Sequence, residues 1–224
     1  MHTDAPVFYS FRRCPYAMRA RMALAVAHIP CRLREVVLRD KPEEMLAVSP
    51  KGTVPVLITP TGTVIAESLE IMMWALHQSD PGNWLRPEAG SFDQMQVLIS
   101  RCDGPFKHAL DRYKYPNRYP DEAPDRAAQR ALAGTFLTDL ETQLAQYGFL
   151  FGGRVSLADI AIFPFIRQFA NTDRSWFDAQ PWPHLQLWLE AHLNSARFAQ
   201  IMAKYPQWTR GDAEITFPPP PHAE

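Results

Sequence analysis

The stretch Val7-Phe8-Tyr9-Ser10-Phe11-Arg12-Arg13-Cys14-Pro15-Tyr16-Ala17-Met18-Arg19 joins an apolar run to a polar turn and then to a pattern that continues through Met22, Ala25 and Val26. The run Val7-Phe8-Tyr9 reads as a β-strand and the pattern beyond Pro15 as a helix, so Cys14 stands at a helix start. Proline suits the first helical position because its missing N–H would have no partner there, which makes Cys14 the expected N-cap residue. The first-turn N–H groups and the positive end of the helix dipole favour a thiolate over a thiol, with Arg12 and Arg13 adding nearby positive charge. Most free cysteines are small buried hydrophobes. A polar turn after a strand, two arginines and a helix-starting proline argue here for a reactive one.

The length of 224 residues allows a sizeable core and suggests two domains. Hydrophobic residues at 46% and charged residues at 21% describe a soluble globular chain rather than a disordered one. Lys plus Arg (23) nearly balance Asp plus Glu (24), so no global basic field recruits nucleic acid. Apolar stretches are broken by charge or proline before they reach membrane-spanning length, and residues 1–20 lack the apolar core of a signal peptide. A cytoplasmic setting with no membrane partner is the expectation. Cys14, Cys31 and Cys102 are an odd count without close pairing, which suits a reducing compartment. His28 and Cys31 lie close together, but no second ligand pair follows at zinc-site spacing, so no metal is expected.

Beyond the first helix, which should end near Ile29-Pro30, Leu33-Arg34-Glu35-Val36-Val37 alternates as a strand and completes a β-α-β unit whose strands are parallel. A short helix follows over Lys41 to Val48, with Pro42, Glu43 and Glu44 suited to its first turn. The loop Ser49–Val54 leads through Pro55 into Val56-Leu57-Ile58, and Val64-Ile65-Ala66 completes a hairpin. Pro55 cannot donate to a sheet ladder and must stand at the start of its strand. Glu67-Ser68 then opens a third helix, with Ser68 as its expected N-cap and an anion-favouring N-terminus. Residues 1–80 therefore form an α/β domain and the Pro- and Gly-containing residues 81–90 a linker. Residues 91–210 form an all-helical domain, with helices expected over Phe92–Tyr113, Asp125–Gln146, Leu157–Ala170, Pro183–Leu193 and Ala196–Ala203. Ser156 and Asp159 form a capping box and Val155 with Ile160 a hydrophobic staple, which makes Asp159 structural. The Pro-rich tail, 211–224, should be poorly ordered.

This order of elements, with Cys14 at the first helix start, Val54-Pro55 opening the third strand and Glu67-Ser68 opening the third helix, resembles the glutathione transferase superfamily. Cys14-Pro15-Tyr16-Ala17, with Leu38 and Lys41 downstream, is most similar to its omega-like cysteine class. The resemblance implies a thioredoxin-like N-terminal domain, an all-α C-terminal domain, glutathione as co-substrate and a homodimer. It implies that Val54 pairs its backbone with the cysteinyl unit of glutathione beside a cis Pro55. Ser68 and the N–H groups of its helix start suit the glutamyl carboxylate, Glu67 the glutamyl ammonium and Lys41 the glycyl carboxylate. A second substrate would lie in a cleft between the domains, with Phe11, Phe106, Tyr113 and Tyr115 as candidates, although aromatics at helical spacing are usually core.

Ala17 stands where a Cys-x-x-Cys motif would place a resolving thiol, so the chemistry expected of Cys14 is monothiol exchange through a glutathionyl mixed disulfide. Disulfide or dehydroascorbate-type reduction would follow. The alternatives are conjugation of glutathione to an electrophile, served by a hydroxyl of Ser10, Tyr9 or Tyr16, and a transferase-like scaffold without catalysis.

Overall fold

The structure is a computed structural model and describes residues 5–219. The chain divides into two compact units, one of residues up to Pro81 together with those from Ser195 onward, the other Gly82–Asn194.

The first unit is built on a sheet whose central strand, β1 (Val7–Ser10), is buried at all four positions. Burial on both faces explains why this strand is a continuous apolar run rather than an alternation. It is followed by α1 (Pro15–Val26), then by β2 (Cys31–Glu35), parallel to β1 with Val7 opposite Arg32 and Ser10 opposite Glu35. His28, at a φ of 55°, turns the chain out of α1. Helix α2 (Glu43–Val48) precedes β3 (Val56–Ile58) and β4 (Val64–Ile65), the antiparallel hairpin on the other side of β1, and α3 (Ser68–Gln78) closes the segment. Helix α1 packs against α3. It is buried at every position from Ala17 to Val26, Arg19 and Arg21 included.

The second unit is helical: α4 (Phe92–Arg101), α5 (Lys107–Lys114), α6 (Arg126–Tyr147), α7 (Leu157–Ala170), α8 (Arg174–Asp178) and α9 (Pro183–Leu193). The single helix expected over Phe92–Tyr113 is divided by a π-helical turn at Cys102–Phe106. Pro105 lies inside that turn, where its missing N–H and its ring oppose a regular α-helical hydrogen bond, and widening the turn accommodates both. Asp159, fully buried, accepts hydrogen bonds from the Ser156 amide at 2.8 Å, the Ser156 hydroxyl at 2.6 Å, the Leu150 amide at 3.0 Å and the Trp188 indole at 2.8 Å. Burial pushes its carboxyl up, while these four donors pull the other way. The residue ties the start of α7 to α9. No helix among the described residues is long and apolar enough to cross a membrane.

Two expectations about the C-terminal residues need correction. Residues beyond Asn194, assigned from sequence to the helical domain as far as 210, belong with the first unit. There α10 (Ala196–Ile201) packs against α1, and the Trp208 amide donates to the Glu35 carbonyl at 2.9 Å. Within the tail, Ile215–Phe217 forms β5, an antiparallel strand that pairs with β2 and completes the sheet order β4-β3-β1-β2-β5. Its Ile-Thr-Phe run is a strand signal that the neighbouring prolines mask. Phe217 is fully buried, facing Phe8 at 6.4 Å between ring centroids and lying under the Arg21 guanidinium at 5.7 Å. Residues 220–224 of the tail lie outside the described residues.

A fully buried phenylalanine is worth about 3–5 kcal/mol against alanine. Phe217→Ala should lower unfolding free energy by that amount in denaturant titration, and a change below about 0.5 kcal/mol would show the C-terminal strand to be dispensable.

Candidate active site

Cys14 occupies the N-cap of α1 with extended backbone angles (φ −75°, ψ 123°), and Pro15 is the first helical residue. Its amide donates to the Phe11 carbonyl at 3.0 Å, closing a turn, and its carbonyl accepts from Met18 at 2.9 Å. The first-turn amides of a helix point toward its N-cap, an arrangement that favours an anion at the N-cap side chain. The thiol is half-buried and its Sγ lies 3.6 Å from the Val54 carbonyl oxygen. It packs with Phe11 and Ile58 against a buried cluster of Val7, Tyr9, Val36, Met45, Val54, Val56 and Trp208. The Arg12 guanidinium lies on the Met202 carbonyl at 3.5 Å, and that of Arg13 over the Phe11 ring at 5.3 Å.

The other two cysteines are enclosed. Cys31 is buried, and burial pushes its thiol up to about 12; Cys102 is buried in the helical unit. Of the hydroxyls considered as alternatives to Cys14, those of Ser10 and Tyr9 are enclosed and bound. Ser10 is fully buried and its Oγ accepts from Arg21 Nε at 2.8 Å. Tyr9, fully buried too, accepts from Arg34 at 2.5 Å, and burial pushes its phenol up. Tyr16 is half-buried beneath the Arg19 guanidinium, 5.2 Å from its ring centroid.

The loop Lys51–Pro55 relates the remaining candidates to Cys14. Val54 supplies the carbonyl beside the thiol, and its bond to Pro55 is cis. Gly52, at a φ of 63°, lies under Lys41: a Cβ there would stand 3.7 Å from the lysine Nζ. Lys41 is half-buried, more enclosed than a free surface lysine. Lys51 forms an exposed ion pair with Glu67. Neither Lys51 nor Gly52 was singled out from sequence, because the signal lies in what the loop spans rather than in any local motif.

At α3 the N-cap is Glu67, and Ser68 is the first helical residue rather than the cap. The reason is visible in its partner: the Ser68 Oγ, nearly fully buried, accepts from Arg19 Nε at 2.9 Å. A hydroxyl that accepts one bond still has its own proton to donate. Arg19 too was missed from sequence, since an arginine in the interior of a helix reads as solvated until its neighbours are known.

Of the aromatic candidates, Phe11 lies beside Cys14. Phe106 and Tyr113 fill the core of the helical unit, stacked at 5.9 and 5.4 Å on Phe169. Tyr115 remains half-buried, with Arg118 over its ring at 4.0 Å. Among the described residues no group of three or more His, Cys, Asp or Glu side chains is placed to hold a metal ion.

Residues 8–84 match the family model of the glutathione S-transferase N-terminal domain, and residues 123–191 that of the glutathione S-transferase C-terminal domain. The chain is 29% identical over 223 residues to pyrimidodiazepine synthase of Drosophila melanogaster, covering 88% of this chain and 79% of that protein. It is 27% identical over 195 residues to glutathione S-transferase omega-1 of Mus musculus, covering 82% and 74%. The match to the Sus scrofa omega-1 protein is higher, 36%, but spans 33% of that protein's length and 36% of this chain. In fold the chain is similar to a glutathione transferase family member from Pseudomonas fluorescens with two glutathione molecules bound, at a TM-score of 0.76 and 18% identity over 89% of this chain and 93% of that one. A thioredoxin-like domain with a cysteine at its first helix start, followed by a helical domain, thus meets both domain models of one family in their proper order, and the chain belongs to the glutathione transferase superfamily, with omega-like features.

Proposed function

We propose that the protein is a glutathione-dependent thiol transferase or reductase in which Cys14 is the nucleophile. One observation carries this reading: Cys14 is the half-exposed thiol at a helix N-terminus, while Cys31 and Cys102 are buried and Ser10 and Tyr9 are fully buried in the sheet. A thiolate so placed attacks a disulfide sulfur far better than a hydroxyl could.

In the proposed cycle, glutathione lies along Val54 and Pro55. Its glutamyl carboxylate meets the start of α3 and the Ser68 hydroxyl proton, its glutamyl ammonium meets Glu67, and its glycyl carboxylate meets Lys41. For a mixed disulfide of glutathione, the Cys14 thiolate attacks the glutathione sulfur. A Cys14–glutathione disulfide forms, and the substrate sulfur leaves as a thiolate that takes up a proton. The thiolate of a second glutathione attacks the glutathionyl sulfur of that adduct, releasing oxidised glutathione and returning Cys14 to its thiolate. Two glutathione-derived sulfurs thus end in one disulfide, and the electron pair has passed to the substrate thiol. Position 17 is alanine and Cys31 and Cys102 are buried, so the thiol that resolves the adduct comes from the second glutathione. Phe11, in the turn that leads to Cys14, is the aromatic candidate for contact with the second substrate. A homodimer, which rests on the family resemblance, and a cytoplasmic setting, which rests on the sequence pattern, belong to the same proposal.

Cys14→Ser should abolish disulfide and dehydroascorbate reduction, measured beside transfer to an aryl halide in the same preparations. A serine variant that reduces mixed disulfides as fast as the parent removes Cys14 from the reaction and leaves conjugation as the working reading.

Ser68→Ala should weaken glutathione binding by about 1–3 kcal/mol in calorimetry, the usual cost of losing a hydrogen bond to a charged group. Unchanged affinity would take Ser68 out of the site.

A further inference from the structure

Two residues before Cys14 the main chain is held by a side chain from another strand. The Arg12 amide donates to Glu35 Oε1 at 2.6 Å, and the other carboxylate oxygen, Oε2, is paired with Arg21 Nη2. Glu35 is 8% exposed and Arg21 is fully buried. Each nitrogen of the Arg21 guanidinium has an acceptor: Nε the Ser10 hydroxyl at 2.8 Å, Nη1 the Ile201 carbonyl at 3.0 Å, and Nη2 Glu35. The main chain of Glu35 is engaged as well, its carbonyl accepting from Trp208 at 2.9 Å. The Arg12 guanidinium reaches the Met202 carbonyl at 3.5 Å. One buried ion pair therefore meets the end of β1, the Phe11–Cys14 turn and the end of α10.

From this we infer that Glu35 is a positioning residue for Cys14: its carboxylate, oriented by Arg21, holds the Phe11–Cys14 turn and ties it to residues 201–208. Burial pushes the Glu35 carboxyl up and pulls the Arg21 guanidinium down, and their mutual contact opposes both. The other titratable groups that act on the pair are Tyr205 and Arg12. A buried ion pair is seldom a net source of stability compared with apolar residues of similar volume, so its value lies in the geometry it imposes. Here that geometry sets the approach of Cys14 to the α1 N-terminus and to the Val54 carbonyl. The inference deepens the thiol-transferase reading, but its test uses no glutathione.

The experiment is the pH dependence of Cys14 alkylation by iodoacetamide, followed by peptide mass spectrometry, in the parent protein and in Glu35→Gln. The sign of the change separates a positioning role from a simple charge effect. Removing the Glu35 charge and leaving Arg21 unpaired would, by electrostatics alone, favour the Cys14 thiolate and speed alkylation at neutral pH. Loss of the turn's anchor moves the sulfur away from the helix start, raises the thiol's midpoint and slows alkylation at pH 7 by roughly fivefold or more. A slower variant with its profile moved to higher pH supports the inference; an unchanged or faster one overturns it. Amide hydrogen exchange in the unmutated protein supplies a second readout that needs no variant. The Arg12 amide should exchange as slowly as the β1 amides, and exchange at the rate of an open loop overturns the inference whatever Glu35→Gln does. If the alkylation result holds but Cys14→Ser keeps its reductase activity, the positioning role stands and the proposed reaction falls.

Discussion

Helix α1 is buried at every position beyond its first two residues, so its N-terminus is where its aligned peptide dipoles and first-turn amides are directed at the site. Everything proposed for the protein depends on a sulfur held at that point. Cys14 is held by the turn from Phe11 behind it, by Pro15 ahead of it and by the Val54 carbonyl opposite. Several polar groups of the neighbourhood have partners within the protein. Ser10 is bound to Arg21, Tyr9 to Arg34, Ser68 to Arg19 and Glu67 to Lys51.

These commitments distinguish a thiol site from a hydroxyl site in physical terms. A hydroxyl that activates the thiol of bound glutathione has to donate its proton to that sulfur. Tyr9 and Ser10 are enclosed in the sheet beside arginines, and burial pushes the Tyr9 phenol further from ionisation. Ser68, like them, accepts from an arginine and keeps its own proton; it differs in standing at the start of α3, where the proposed cycle puts a carboxylate. The loop Lys51–Pro55 joins these parts by touching Cys14 through Val54, Lys41 through Gly52 and Glu67 through Lys51.

The sequence made the framework legible wherever a local rule applied. Pro15 after Cys14, Glu43 and Glu44 in a first turn, and Ser156 with Asp159 each marked a helix start, and the apolar runs marked the strands. What it hid depended on long-range partners. Ser68 resembled an N-cap because serine usually is one, and only the proximity of Arg19 shows its hydroxyl to be engaged elsewhere. Arg21 and Glu35 lie 14 positions apart, and neither their pairing nor the bond from Arg12 leaves any periodic trace. The strand Ile215–Phe217 was hidden by the prolines that follow it, and its partner β2 lies near the other end of the chain. Pro105 and Pro164 make a further contrast. Both lie inside helices, yet it is at Pro105 that the helix widens into a π-turn.

In the proposed cycle Cys14 carries the glutathionyl group during turnover. The most direct measurement is mass spectrometry of the protein quenched during reaction with a glutathione mixed disulfide, with the modified peptide identified. One glutathionyl group is expected, on the peptide containing Cys14, appearing with the mixed disulfide and discharged when free glutathione is added. Turnover without that adduct, or an adduct confined to Cys31 or Cys102, would contradict the cycle.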